Sequence, residues 1–153
     1  MKKILTTATA ALAISFGLST VTAPVAGAFP LPGIMQENLG AAEADIFNQV
    51  NGVRAEHGLA PFGWNQNLAD SSRSWAETSA SRDQLAHDPM ALQVSDMENV
   101  AVMYNNPRDA VNAWMNSPAH RDNILSPNAV TAGVGVAKNP ATGGYFITLR
   151  GAY

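Results

Sequence analysis

The chain has 153 residues, 14% of them charged, a formal net charge of −3 and no cysteine. That length suits one domain. The missing thiols exclude disulfides, thiolate metal sites and a cysteine nucleophile. With no Lys/Arg stripe, the acidic balance argues against nucleic acid and anionic membrane surfaces as partners.

Residues 1–28 read as a secretory signal peptide. Lys2 and Lys3 supply the positive start, residues 4–25 are mostly apolar or small, and Ala26-Gly27-Ala28 is a small-x-small pattern. Cleavage is expected after Ala28, with Ala23 as the alternative. Thr6, Thr7, Ser15, Ser19, Thr20 and Thr22 dilute the run, whereas a membrane span needs about 20 predominantly apolar residues. No second such run follows. The mature chain is therefore expected to be secreted, extracellular or wall-associated, without a stable membrane span. About 125 residues remain, enough to fold on a hydrophobic core alone. An exported domain without cysteine points to a compartment that does not rely on oxidative folding, as in a Gram-positive type of cell.

Residues 29–40 contain Pro30, Pro32 and Gly33 and read as an N-terminal arm or linker. Its Phe29, Leu31, Ile34 and Met35 are candidates to dock on the domain, which is expected over 41–153. The first helix is predicted from Ala41 to Glu56, with Ile46, Phe47, Val50 and Val53 as its apolar stripe. Gly58 ends it. Arg54 and His57 lie near that end, where the helix dipole favours cations. Leu59, Phe62 and Trp64 should pin the connector LAPFGW (59–64) to the core. A second helix is predicted over 67–84, with Ala69, Ala76 and Ala80 allowing close approach by a neighbour. Asp88-Pro89 then forces a turn and fixes His87 on it. Met90 to Asp96 reads as loop.

In MENVAV (97–102), Glu98 is an acid inside an apolar stretch. Asn106 as N-cap, Pro107 as first residue and Asp109 start a third helix that runs to about Asn116. In NAWMNSPAHRDNIL (112–125), Ser117-Pro118 stops that helix and opens a turn. His120 sits on the turn, between Ala110, Val111, Ala113 and Trp114 on one side and Ile124-Leu125 on the other. Such a placement suits a site. AGVGVA (132–137) and YFITL (145–149) flank the turn-rich KNPATGG and predict a β-hairpin. Gly133 and Gly135 imply that another backbone or a ligand passes close to its first strand. Trp64, Trp75 and Trp114 read most simply as core.

The mature chain resembles the CAP superfamily (cysteine-rich secretory proteins, antigen 5, pathogenesis-related 1), in its short bacterial branch. The matching stretches are NQVNGVRAEHGLAPFGWNQNLA (48–69), the isolated His87, ENVA (98–101), AVNAWMNSPAHRDNIL (110–125) and GVGVA (133–137). The resemblance implies an α+β fold, a three-layer α-β-α sandwich with a small, mainly antiparallel sheet. It also implies a cavity lined by two His and two Glu, which in some members holds zinc or another divalent ion. By motif, His87, His120 and Glu98 match that set. Two departures stand out. Met97 occupies the place of the family's glycine before the ENxA motif, and no second Glu is found, since Met115, Asn116 and Ser117 follow Trp114.

Two neutral imidazoles and a carboxylate can bind Zn²⁺ and leave a position for water, whose proton could then be lost near neutral pH. The alternative is a polar network in which Glu98 accepts hydrogen bonds and fixes the surrounding loops. Asn99, Ser117, Arg121 and Asn123 are candidate supports. Ser117 as a nucleophile lacks a GxSxG elbow or an oxyanion loop. Three readings follow. The leading one is a non-catalytic secreted module that binds an apolar, lipid- or sterol-like or cell-envelope ligand. The second is a divalent-metal-dependent hydrolase of envelope or extracellular polymers. The third is a structural interaction protein of the cell surface. The incomplete acid set weighs against an enzyme.

Overall fold

The computed structural model describes residues 38–153. The signal peptide and most of the arm expected over 29–40 lie outside these residues. In chain order the elements are α1 (Leu39–Glu56), β1 (Gly63–Trp64), α2 (Gln66–Arg82), β2 (Met97–Met103), α3 (Ala110–Met115), α4 (Pro118–Ile124), β3 (Thr131–Lys138) and β4 (Tyr145–Ala152).

Helix ends fall where local chemistry places them. Asn38 caps α1 by accepting from Ala41 N–H at 3.1 Å, so the helix begins at Leu39, just ahead of the expected Ala41. At its other end Gly58 has φ 71°, and the N–H groups of Gly58 and Leu59 reach back to the carbonyls of Ala55 and Arg54. This is a Schellman closure, which requires a left-handed residue at that point. Asn65 caps α2 through Asn67 and Leu68 N–H. Asp83 ends α2 in the left-handed region at φ 50°, a conformation that Asp tolerates better than most residues. Asn106 caps a short 3-10 turn, Pro107–Asp109, which leads into α3.

The sheet has four strands in the order β1-β3-β4-β2. The β1–β3 pair is parallel, and the β3–β4 and β2–β4 pairs are antiparallel. Alternation along β3 and β4 gives the sheet two apolar faces. Ala132, Val134, Val136, Tyr145, Ile147 and Leu149 share one core with Ile46 and Val50 of α1, Val111 and Trp114 of α3 and Ile124 of α4. Ala137 and Phe146 pack with Ala76 and Ala80 of α2 on the other face. The result is the expected α-β-α sandwich.

The glycines of β3 set the distance between α2 and the sheet. A Cβ on Gly135 would lie 2.0 Å from the Arg73 amide nitrogen, and one on Gly133 2.1 Å from that of Ala69. The close neighbour is thus a helix backbone rather than a ligand. Met97 is accommodated in the same way. Its side chain lies over its cross-strand partner Gly151, which has no Cβ to oppose it. The strand stays regular where the family's glycine is missing.

Several expectations are corrected. Among the described residues four α-helices replace three, because Ser117-Pro118 starts α4 and His120 rides on that helix instead of a turn. Met90–Asp96 contains a 3-10 turn, Ala91–Gln93. Ala113 is exposed, and Trp64 is 41% exposed, standing edge-on to Phe47. Trp75 is half-buried, while Trp114 is fully buried. Arg54 lies in the last turn of α1 as expected, but it is 2% exposed and answers to more than the helix dipole. Its guanidinium donates to the carbonyls of Ala60, Ile124, Ser126 and Ala129 and lies 3.7 Å over the Phe62 ring. Desolvation lowers its pKa from the ordinary value. It therefore ties the end of α1 to the connector and to the segment after α4. His57 does stay at the helix end, its ring bonded to the Val53 carbonyl.

Candidate functional site

β2 is an edge strand, and its first residues organise a polar cluster. Glu98 is 8% exposed. A buried carboxylate is tolerated only when its lone pairs are occupied, and here all are. Oε1 accepts from His87 Nδ1 at 2.9 Å and from the Asp88 backbone N–H at 3.0 Å. Oε2 accepts from Arg150 Nε at 3.1 Å and Nη2 at 2.8 Å. Arg150 is 2% exposed and also donates through Nη2 to Asp88 Oδ2 at 2.5 Å. One guanidinium thus bridges two carboxylates. Glu98 and Arg150 are direct partners in the β2–β4 register, so their side chains leave the sheet on the same face.

His87 is positioned from both sides. Trp75 Nε1 of α2 holds the Ala86 carbonyl at 2.9 Å, and Asp88 N–H is held by Glu98. A carboxylate only accepts, so the bond to Glu98 places the proton on Nδ1. The remaining nitrogen, Nε2, lies on the other edge of a side chain that is 60% exposed. His120 approaches from α4, its ring centroid 6.0 Å from that of His87 at 45°. Burial, and then the neighbouring His87, lowers the His120 pKa from its ordinary 6.5.

Asn99, 1% exposed, donates to the His120 carbonyl at 2.9 Å. Asn123 donates to Asn99 Oδ1 at 2.8 Å and to the Glu98 carbonyl at 3.3 Å. Trp114 Nε1 donates to the Val100 carbonyl. The side chains of α3 and α4 therefore satisfy the outer carbonyls of β2, which covers an edge that would otherwise invite strand pairing. Ser117 takes the N-cap position of α4 without a side-chain capping bond. Arg121 is exposed and lines a groove of about 450 Å³ with Met115, Asn116, Pro118 and Asp122.

Of the residues singled out from sequence, the fold brings together His87, Glu98, Asn99, His120 and Asn123, and leaves Ser117 and Arg121 outside the hydrogen-bond network. Sequence reasoning missed Arg150 and the side chain of Asp88. The signal was available: Arg150 is the lone charge in YFITLRGA, as Glu98 is in MENVAV, and two opposite charges in apolar strands need each other.

Glu98 is not placed to ligate a divalent ion, whereas a histidine whose Nδ1–H is held by a carboxylate, as that of His87 is, commonly ligates through Nε2. Zinc sits about 2.0–2.2 Å from its N and O ligands. An ion shared by His87 and Glu98 would have to displace the bond from Nδ1–H to Oε1. The other carboxylate oxygen already faces a guanidinium. Among the described residues no three His, Cys, Asp or Glu side chains are grouped so as to hold a metal.

An α-β-α sandwich whose edge strand carries a buried acid bonded to one histidine, with the ring of a second histidine 6.0 Å from the first, defines the class of domain. The profile of the cysteine-rich secretory protein family, CAP, matches residues 47–150, and the chain belongs to that family. It does so with no cysteine of its own. It is 30% identical over 115 residues to the uncharacterised protein YkwD of Bacillus subtilis, an alignment covering 67% of this chain and 45% of that one. An extracellular SCP-domain protein from Bacillus anthracis shares the fold at a TM-score of 0.66 and 24% identity, over 82% of this chain and 45% of the other. An outer surface protein from Borrelia burgdorferi does so at 0.63 and 14%, over 76% and 96%. The chain thus spans less than half the length of the first two.

Proposed function

We propose that this is an exported CAP module that binds an apolar ligand of the cell envelope, lipid- or sterol-like, on the face around His87, without catalysing a reaction on it. The carrying observation is the exposure of Leu85 (48%), Met90 (51%), Leu92 (82%) and Val94 (51%) within ten residues that bracket His87. Lone exposed apolar residues are ordinary, but a cluster of them marks an interaction surface. The polar network behind the cluster serves as its anchor. Glu98 holds both His87 and Asp88 N–H, so it fixes the middle of the segment that displays these side chains.

Residues 1–28, with the features of a signal peptide, support export and cleavage near Ala28. Relatives whose names describe extracellular and outer-surface proteins support the same location. Among the described residues no helix is long and apolar enough to cross a membrane.

Titration of the purified protein with a fluorescent fatty acid and a fluorescent sterol tests the proposal. Saturable binding of one of them is expected. Leu92→Ser should weaken it about fivefold, the equivalent of about 1 kcal/mol for a Leu side chain that the ligand covers only in part. Absence of saturable binding, or an unchanged Kd in a Leu85→Ser/Leu92→Ser double variant, would refute it.

A further inference from the structure

We propose that the hollow between α1 and β1 is a second binding site, one that takes a quaternary ammonium group such as the trimethylammonium of a choline headgroup. β1 is the edge of the sheet opposite β2, the strand that carries Glu98.

Two aromatic rings form the corner of this hollow. Phe47 of α1 and Trp64 of β1 stand at 87° to each other with centroids 5.0 Å apart. Both line a space of about 260 Å³, with Gly40, Glu43, Ala44 and Asn48. Trp64 is 41% exposed, and its orientation is fixed. Its Nε1 donates to Gln66 Oε1 at 3.0 Å, and Gln66 Nε2 donates in turn to Asp70 Oδ1 at 2.8 Å. Ring faces carry the negative part of the aromatic quadrupole, so two of them meeting near a right angle attract a cation held within about 6 Å of their centroids.

Charge and hydrogen bonding narrow the ligand. Glu43, which lines the hollow, and Asp70, which holds Gln66, share one guanidinium, that of Arg73. Two carboxylates against one arginine leave one negative charge, and none of the described residues lining the hollow is a cation. A positive ligand complements this. A primary ammonium fits poorly all the same. Both Glu43 oxygens are taken by Arg73 and by Val136 N–H. Among the lining side chains only the Asn48 amide remains as an acceptor, whereas an ammonium brings three N–H donors that each need one. A quaternary ammonium has no N–H to satisfy. It presents its charge through methyl groups, which suit the two rings and Ala44.

The inference stands apart from the apolar-ligand reading, because the hollow shares no residue with the segment around His87. The test is a titration followed by the indole N–H resonance of Trp64 in nitrogen-labelled protein. Tetramethylammonium and phosphocholine should each shift that resonance saturably. Dimethylbutanol, the uncharged carbon isostere of choline, should bind about tenfold more weakly, and phosphoethanolamine should also bind more weakly than phosphocholine. Phe47→Leu should weaken tetramethylammonium about threefold, and Leu92→Ser should leave it unchanged. Displacement of phosphocholine by phosphatidylcholine vesicles assigns the group to a bilayer lipid, and lack of displacement to a soluble or wall-borne headgroup; both support the site. Three results would overturn the proposal: no saturable shift of the Trp64 resonance, equal affinity for phosphocholine and either comparison compound, or a folded Phe47→Leu protein of unchanged affinity. If Phe47→Leu does not fold, the ratio of cation to isostere in wild type decides.

Discussion

Among the described residues two glutamates are buried, each clasped by an arginine and a backbone N–H, and they serve different ends. Glu43 on α1 is 4% exposed. Arg73 of α2 meets it side-on, Nε to Oε1 at 2.9 Å and Nη2 to Oε2 at 2.7 Å, and Val136 N–H completes Oε1 at 3.1 Å. That pairing raises the Arg73 pKa above its ordinary value, the bond to Glu43 being the main cause. Both carboxylate oxygens are used within the fold, and the pair joins α1, α2 and β3. At Glu98 the arginine instead places both N–H groups on one oxygen. The other oxygen is left for Asp88 N–H and for His87, an imidazole that reaches solvent. How the fork is turned decides whether a buried acid only staples elements together or also orients a surface group.

The sharpest way to break this comparison is to neutralise each acid in turn. Glu98→Gln should cost about 3–5 kcal/mol, because it leaves a buried guanidinium with half its compensation. Glu43→Gln should cost less, about 1–2 kcal/mol. The Arg73 side chain is 36% exposed and keeps Asp70, whereas Arg150 is 2% exposed. Urea denaturation of the two variants measures the difference, and equal losses would show that burial does not separate the pairs.

A smaller effect is expected at the solvent end of the network. His87→Ala should cost under about 1 kcal/mol, since an exposed partner contributes little to an ion pair. It should also lower protection of the Asp88 amide against hydrogen exchange, as the segment loses one of its two ties to Glu98. A loss as large as that of Glu98→Gln would mean that the imidazole, and not the arginine, carries the cluster.

The smallest effect is a pH dependence from His120. The folded state favours its neutral ring, through burial and then through the nearby His87. As pH falls below about 6.5 the unfolded chain takes up this proton first. Stability is therefore full above that pH and declines below it, toward the lowered folded value. Melting temperatures between pH 5 and 7 should show this slope in wild type and a shallower one in His120→Asn. The same slope in both would remove His120 as its source.

Much of the architecture was legible in the residues. Asn106 caps the turn that leads into α3 and Gly58 closes α1, as read, because these interactions span only a few residues. The hairpin was readable from period-2 alternation on either side of a turn-rich loop, and Gly133 and Gly135 announced a close neighbour. The family motifs drew attention to His87, Glu98 and His120. What sequence left open was which groups answer which charge. Arg54 was read as answering to the dipole of its own helix, yet it is also buried against carbonyls up to 75 positions away. Trp64 was expected in the core and stands 41% exposed, because β1 is the other edge of the sheet.

By itself, then, the sequence determined α1, α2, the hairpin and the membership of a family, all of which rest on local stereochemistry and repeated apolar spacing. Only the tertiary structure decided that Glu98 answers to Arg150, 52 positions later, and that Asp88 joins them. The reason is physical. The pairing of two charges depends on the strand register and on exclusion of water, and neither exists until the sheet has formed.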